Sequence, residues 1–209
     1  MPTLVGSEMT TGVVKDTDKA SKIAASSSAA NEGKVAQLNS DGVVPPAYVP
    51  TFAHQWRYTG DFAVGTGEVV VDTGDGWEIV DTTPQAVYSG AAGGMSVNEG
   101  VFTFPRTGLW LVTLNALFVR NSSDVTLLVA DLFATTGSGG STEVRVGQAC
   151  TSVSTANLQS SVFISSLINV SATANVKVKV KVSASSSGAD FKGNSTFNRS
   201  YFTFLKVGP

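Results

Sequence analysis

The chain has 209 residues but only one cysteine and one histidine. With Cys150 alone there is no intrachain disulfide, which fits synthesis in a reducing compartment. Cys150 and His54 are together too few for a zinc centre built from several such ligands. Charge is scarce: 14% of residues are Asp, Glu, Lys or Arg, against about 25% in an average soluble protein. The net charge of −2 supplies no basic footprint for nucleic acid. No apolar run approaches the length of a membrane helix, so no membrane insertion is expected. No basic-then-apolar leader follows Met1, and cytoplasmic synthesis is the expectation.

Catalytic constellations are equally thin. A Ser-His-Asp triad would have to use His54, in Phe52-Ala53-His54-Gln55-Trp56, and no nucleophile elbow is present. His54 therefore reads as structural. Cys150 has His54 as its one candidate activating partner and reads as a buried, inert thiol. Asp72, Asp75 and Asp81 could offer oxygens to calcium, yet their spacing completes no calcium loop, so they read as turn carboxylates. Gly90, Gly93 and Gly94 precede no phosphate-binding Lys-Ser/Thr. The sequons at Asn121, Asn169, Asn194 and Asn198 follow from a composition rich in Ser, Thr and Asn. No catalytic residue, metal or cofactor is assigned, and the chain is read as a non-enzyme.

What replaces the missing charge is Ser, Thr, Gly, Ala and Val, a mixture suited to strands and turns. The charges present are unevenly placed. Residues 1–100 hold twelve acids and five bases, and residues 101–209 hold four acids and nine bases. They are read as solvating separate surfaces.

Residues 1–50 contain no Trp or Phe and one Tyr, Tyr48. Their Ala/Ser-rich stretch cannot bury enough apolar surface to offset its chain entropy. They read as an extended, partly helical arm. Asp16 would cap a helix running to about Asn31, and Gly33 would end it. Pro45, Pro46 and Pro50 keep the rest extended. The arm's candidate attachment residues are its larger apolar side chains: Val13, Val14, Ile23, Val35, Leu38, Val43, Val44 and Tyr48.

Residues 51–209 read as a β-sandwich. Val69-Val70-Val71 and Trp77-Glu78-Ile79-Val80 flank Asp72-Thr73-Gly74-Asp75-Gly76, predicting a hairpin. Val101–Phe104 predicts a strand stopped by Pro105. The run from Leu109 to Val119 predicts a strand buried on both faces. Asp124–Phe133 and Ser161–Val170 predict further strands, and Gly137-Ser138-Gly139-Gly140 a loop. From Ala174 to Val182, Val alternates with Lys, predicting a half-buried strand whose Lys177, Lys179 and Lys181 face outward. Those lysines are read as charge protecting a strand, with phosphate or an acidic partner as the alternative. The last strand is Tyr201–Val207.

Aromatic residues concentrate at Phe102, Phe104, Trp110, Phe118, Tyr201, Phe202 and Phe204. Strand alternation is expected to keep some of them out of the one core, facing another layer, a loop or a partner. Trp77, Tyr88 and Arg106 are candidate residues of a ligand loop.

Two resemblances follow from these residues. Gly100, Phe102, Thr103, Phe104, Pro105, Gly108, Trp110, Val112 and Leu114 are spaced as in the central motif of the tumour-necrosis-factor-like and complement-globular-head jelly rolls. The aromatic last strand also fits that family. Trp110 departs from it, standing where Tyr is usual. The resemblance implies a jelly roll that trimerises around a three-fold axis. Separately, Lys34-Val35-Ala36-Gln37-Leu38-Asn39-Ser40-Asp41-Gly42-Val43-Val44 resembles a phrase of phage head and tail fibre proteins, where it follows an Ala/Ser-rich segment and precedes a trimeric knob.

Together these imply a trimeric capsid decoration or head-fibre protein, made in the host cytoplasm and placed on the outside of a bacteriophage particle. Its partners would be itself as a homotrimer and the major capsid protein or another virion protein. The alternative is a tail-fibre knob that binds a host surface glycan or receptor.

Overall fold

The computed structural model describes residues 52–72, 76–81, 88–89, 94–121, 125–153 and 156–208. The expected arm, its Asp16–Asn31 helix and its eight attachment residues lie outside the described residues. Among the described residues the secondary structure is β-strand apart from one short 3-10 turn, Ser138–Gly140.

The longest strand, Gly108–Arg120, fixes the first sheet; in chain order it is β8. Along one edge it pairs with β11 (Gln159–Val170), from Gly108↔Val170 to Val119↔Gln159. Along its other edge run β13 (Ala189–Lys192) and then β14 (Tyr201–Lys206). β14 continues to β1 (Ala53–Tyr58), which also pairs with β4 (Trp77–Ile79) and β5 (Tyr88–Ser89). β2 (Asp61–Val64) closes the far side on β13.

The second sheet is ordered β10 (Thr142–Thr151), β9 (Leu128–Thr136), β12 (Lys177–Ala184), β7 (Val101–Thr103) and β6 (Ser96–Asn98). β3 (Val69–Val70) pairs with β12 beyond β7. Every pairing is antiparallel. Glu99 and Gly100, both at positive φ (49° and 69°), turn β6 into β7. A Cβ on Gly100 would lie 2.6 Å from the Val71 carbonyl oxygen. Position 100 therefore needs glycine for its space as well as its dihedral.

Alternation in the two sheets meets in one core. From β8 come Trp110, Val112, Leu114, Ala116 and Phe118, all fully buried. β14 adds Phe202 and Phe204, β13 adds Phe191, and β12 adds Val178, Val180 and Val182. Phe102 of the second sheet lies 5.0 Å from Phe202 and 5.2 Å from Phe204 of the first, ring centre to ring centre. Trp77 lies 5.3 Å from Phe202.

Three expectations are corrected. The Val69–Val80 hairpin does not form: β3 pairs with β12 and β4 with β1, so this segment passes from one sheet to the other. Local turn chemistry there was overridden by pairing with strands distant in sequence. β8 is not buried on both faces: Leu109, Leu111, Thr113, Asn115 and Leu117 are only half-buried, in strict alternation with the core residues. The aromatics are not divided between the core and another layer, loop or partner either. Phe102, Phe104, Trp110, Phe118, Phe202 and Phe204 are all core. Within each strand they are an even number of residues apart, so alternation sends them the same way. Tyr201 alone of the seven points outward, half-buried.

This packing predicts that Phe202→Ala costs about 3–5 kcal/mol, the usual range for emptying a buried aromatic site. Urea unfolding of the variant checks this. A loss below about 1 kcal/mol would mean that the cross-sheet aromatic cluster does not hold the sandwich closed.

Candidate self-association surface

The outward face of the first sheet is laid out by its register. One row holds Leu167, Leu111, Leu205 and Ala53; the next holds Ser165, Thr113, Thr203 and Gln55; a third holds Phe163, Asn115, Tyr201 and Arg57. Phe163 is 62% exposed and Leu167 60%. Leu109, Leu111, Leu117 and Leu205 add half-buried apolar surface between them. β11 alternates strictly. Val162, Ile164, Ile168 and Val170 enter the core while Ser161, Phe163, Ser165, Leu167 and Asn169 face out. Two of those five outward residues are large and apolar, although solvent contact favours neither.

This face ends at an open edge. Among the described residues β11 pairs only with β8, and β10 only with β9. The two strands are consecutive and lie against each other at the side of the sandwich. Thr151 and Ser160 share a 2.6 Å hydroxyl hydrogen bond, and a Cβ on Gly147 would press on Ile164. Val144 of β10 is also exposed. Long unpaired edges are sites where another chain can associate.

The second sheet shows the opposite treatment. Glu143 of β10 binds both Lys179 and Lys181 (2.7 Å to Lys181). These bonds, Lys179 first, hold the Glu143 carboxyl below its ordinary range. Arg145 binds Glu68, and at 2.9 Å the buried Asp131, which also accepts from Gln148 at 2.8 Å. Lys181 lies over the Phe133 ring at 4.4 Å. Lys177 and Lys181 are thus half-buried on the side away from the valines, while Lys179 is buried, and Lys179 and Lys181 share the single carboxylate of Glu143.

On β1, Arg57 is buried and held by Glu78 at 2.5 Å and Asp81 at 2.9 Å. Lys192 sits between Asp61 (2.7 Å) and Asp190 (2.9 Å). Burial opposes charge on that amine, but the two carboxylates outweigh it and raise its pKa. Among the described residues no group of three or more His, Cys, Asp and Glu could hold a metal ion.

Of the residues expected to form a ligand loop, the side chains of Trp77 and Arg106 are described. Trp77 is 4% exposed, with Nε1 donating to the Val71 carbonyl at 2.9 Å. Its indole is core. Arg106 stacks its guanidinium over Phe52 at 4.3 Å, beside the start of β1. The side chain of Tyr88 lies outside the described residues, although its backbone pairs with His54 in β5. Cys150, expected to be buried, is exposed on β10, because its alternation turns it away from the core beside Val129. The residues missed by the sequence reading are Phe163, Leu167, Val144, Leu109, Leu111 and Leu205. The signal for two of them was present: Phe163 and Leu167 share the Ser/Asn side of a strand whose other side is Val and Ile.

With this geometry in place, solved structures give the fold. A tumour necrosis factor from S. frugiperda, Eiger, matches at a TM-score of 0.54 and 14% identity, over 76% of this chain and 94% of that one. Murine APRIL matches at a TM-score of 0.50 and 11% identity, over 75% of this chain and 99% of that one. The fold is a tumour-necrosis-factor-like jelly roll. No protein-family model and no curated protein matches the chain.

His54 provides a test of the structural reading. It is fully buried and stacks on Phe52 at 6.5 Å. Burial lowers its pKa below the ordinary 6.5. The folded chain thus keeps a neutral imidazole where the unfolded chain takes a proton. Its contribution to stability is full above pH 6.5 and declines as pH falls below it. Glu143 has the carboxylate sign, stabilising above its ordinary 4.5 and losing that contribution as pH falls further. Urea unfolding is expected to show a decline between pH 6.5 and 4.5 that His54→Phe flattens. An unchanged slope would mean that His54 does not set the pH response.

Proposed function

We propose that this chain is a non-enzymatic structural protein of a bacteriophage particle. In this reading the jelly roll assembles as a homotrimer, and residues 1–50 anchor it to the shell as a decoration or head-fibre protein. The observation that carries the assembly is the open β10/β11 edge beside an apolar outer face, with Phe163 and Leu167 more than half exposed. Burying such surface against a second copy removes it from water at about 25 cal/mol per Å². A closed ring of copies would cover every edge alike. The fold likeness to a tumour necrosis factor is consistent with that geometry. The phage assignment draws on the fibre-like phrase at residues 34–44. The non-enzymatic reading draws on the burial of His54, which leaves the one imidazole without access to solvent.

Light scattering of the full chain is expected to give three times its mass of 21.6 kDa. Phe163→Ser with Leu167→Ser should shift the protein toward monomer while the β-sheet circular dichroism is kept. A wild-type monomer at all concentrations would refute the assembly. Removal of residues 1–50 should leave the trimer intact and abolish binding to phage particles lacking this protein. Undiminished binding would refute the anchoring role.

A further inference from the structure

The last strand of the first sheet is interrupted. Phe191 pairs with Phe118 and Tyr201 with Asn115. Residues 192–200 therefore stand opposite only Ala116 and Leu117. The excess chain arches over the outward face and is tied down along its length. Gly193 N–H donates to the Gly60 carbonyl at 2.6 Å and Asn194 N–H to the Tyr58 carbonyl at 2.7 Å. A side chain at Gly193 would strike both those oxygens. Asn194 Oδ1 accepts from the N–H groups of Thr196 (2.8 Å) and Phe197 (3.0 Å).

Three outward residues of the sheet complete the anchoring. Arg57 donates to the Thr196 carbonyl at 3.4 Å, Asn198 donates to Gln55 Oε1 at 2.7 Å, and Asn115 donates to the Arg199 carbonyl at 2.6 Å. Ser200 Oγ accepts from Leu117 N–H at 2.9 Å and its own side chain is buried. Against this background Phe197 is 47% exposed, with the Arg199 guanidinium 5.4 Å from its ring centre. The loop holds an apolar side chain out toward solvent instead of hiding it.

We infer that Phe197 is a prong that seats against the open β10/β11 edge of a second copy and fixes where that copy docks. The inference rests on the self-association proposed above and names a contact within it. Phe197 stands on the same outer face as the leucine row, since Gln55, Arg57 and Asn115, which hold its loop, belong to that face. A copy covering the leucines therefore meets it. The edge offered by such a copy is chemically matched. All twelve residues of β11 are uncharged, and its exposed Phe163 and Leu167 need apolar cover. Because the loop is already ordered, little conformational entropy is lost when the contact forms.

The test is sedimentation equilibrium of the full chain against concentration. Phe197→Ser should raise the trimer dissociation constant by about tenfold or more, the usual effect of truncating a buried interface aromatic. Asn194→Ala, which loosens the loop, should raise it by less. Leu127→Ser, at an exposed leucine held by Ser185 beside the second sheet, should leave it unchanged. A trimer weakened by Phe163→Ser and Leu167→Ser but unaffected by Phe197→Ser would overturn the prong alone. A wild-type monomer would overturn the prong and the assembly together.

Discussion

The contact of Phe102 with Phe202 and Phe204 fixes which way the rest of the chain faces. It joins the two sheets through rings about 5 Å apart, and Trp77, Phe104 and Trp110 extend it. Aromatic rings of this size dominate a core by area, and tilted or edge-on contacts add to that. Once Phe202 and Phe204 point inward, period-two alternation sends Tyr201, Thr203 and Leu205 outward. The register with β8 and β11 then sets Thr113, Leu111, Phe163 and Leu167 on the same outer face. The exposed apolar surface is therefore a consequence of the core, because a shift of one residue would exchange the two faces.

This dependence explains what was legible in the sequence. The Val-Lys alternation located β12 and both its faces, because a clean period of two has one interpretation. The Gly100–Leu114 motif indicated the jelly roll, and similarity to solved structures supports that fold. The Val69–Val80 segment misled because its Asp-Gly turn chemistry is local, while its strands take partners outside the segment, β3 on the distant β12 and β4 on β1, which precedes β2. The long apolar run of β8 misled differently. Its outward leucines look like core residues when no partner surface is considered, and their half-burial is set by three dimensions. Trp77 was misjudged because a Trp beside a turn has the same sequence appearance whether it points in or out.

The loop at residues 193–200 was the least legible part. Its composition of Gly, Asn, Ser and Thr reads as an ordinary polar connection. What gives it character is hydrogen bonding with Gln55, which accepts from Asn198, and with Arg57 and Asn115, which donate to its carbonyls, from two segments far from it in sequence. The burial of Arg57 is part of the same arrangement. A guanidinium placed under a loop needs carboxylates, and Glu78 and Asp81 supply them from the strand alongside and the residues that follow it.

The two edge strands argue most directly for a partner. Both are long, and among the described residues each is hydrogen-bonded into its sheet along one side only. β10 carries the devices that discourage edge pairing: Glu143 and Arg145 in ion pairs, and a bulge between Arg145 and Gly147. β11 carries none of them. It is regular over twelve residues, uncharged, and shows Phe163 and Leu167 to solvent. Had both edges been meant for water, the same protections would serve both. Charging one edge and leaving its neighbour bare marks the β11 side of the sandwich as the less protected one, beside the Leu167 end of the leucine row.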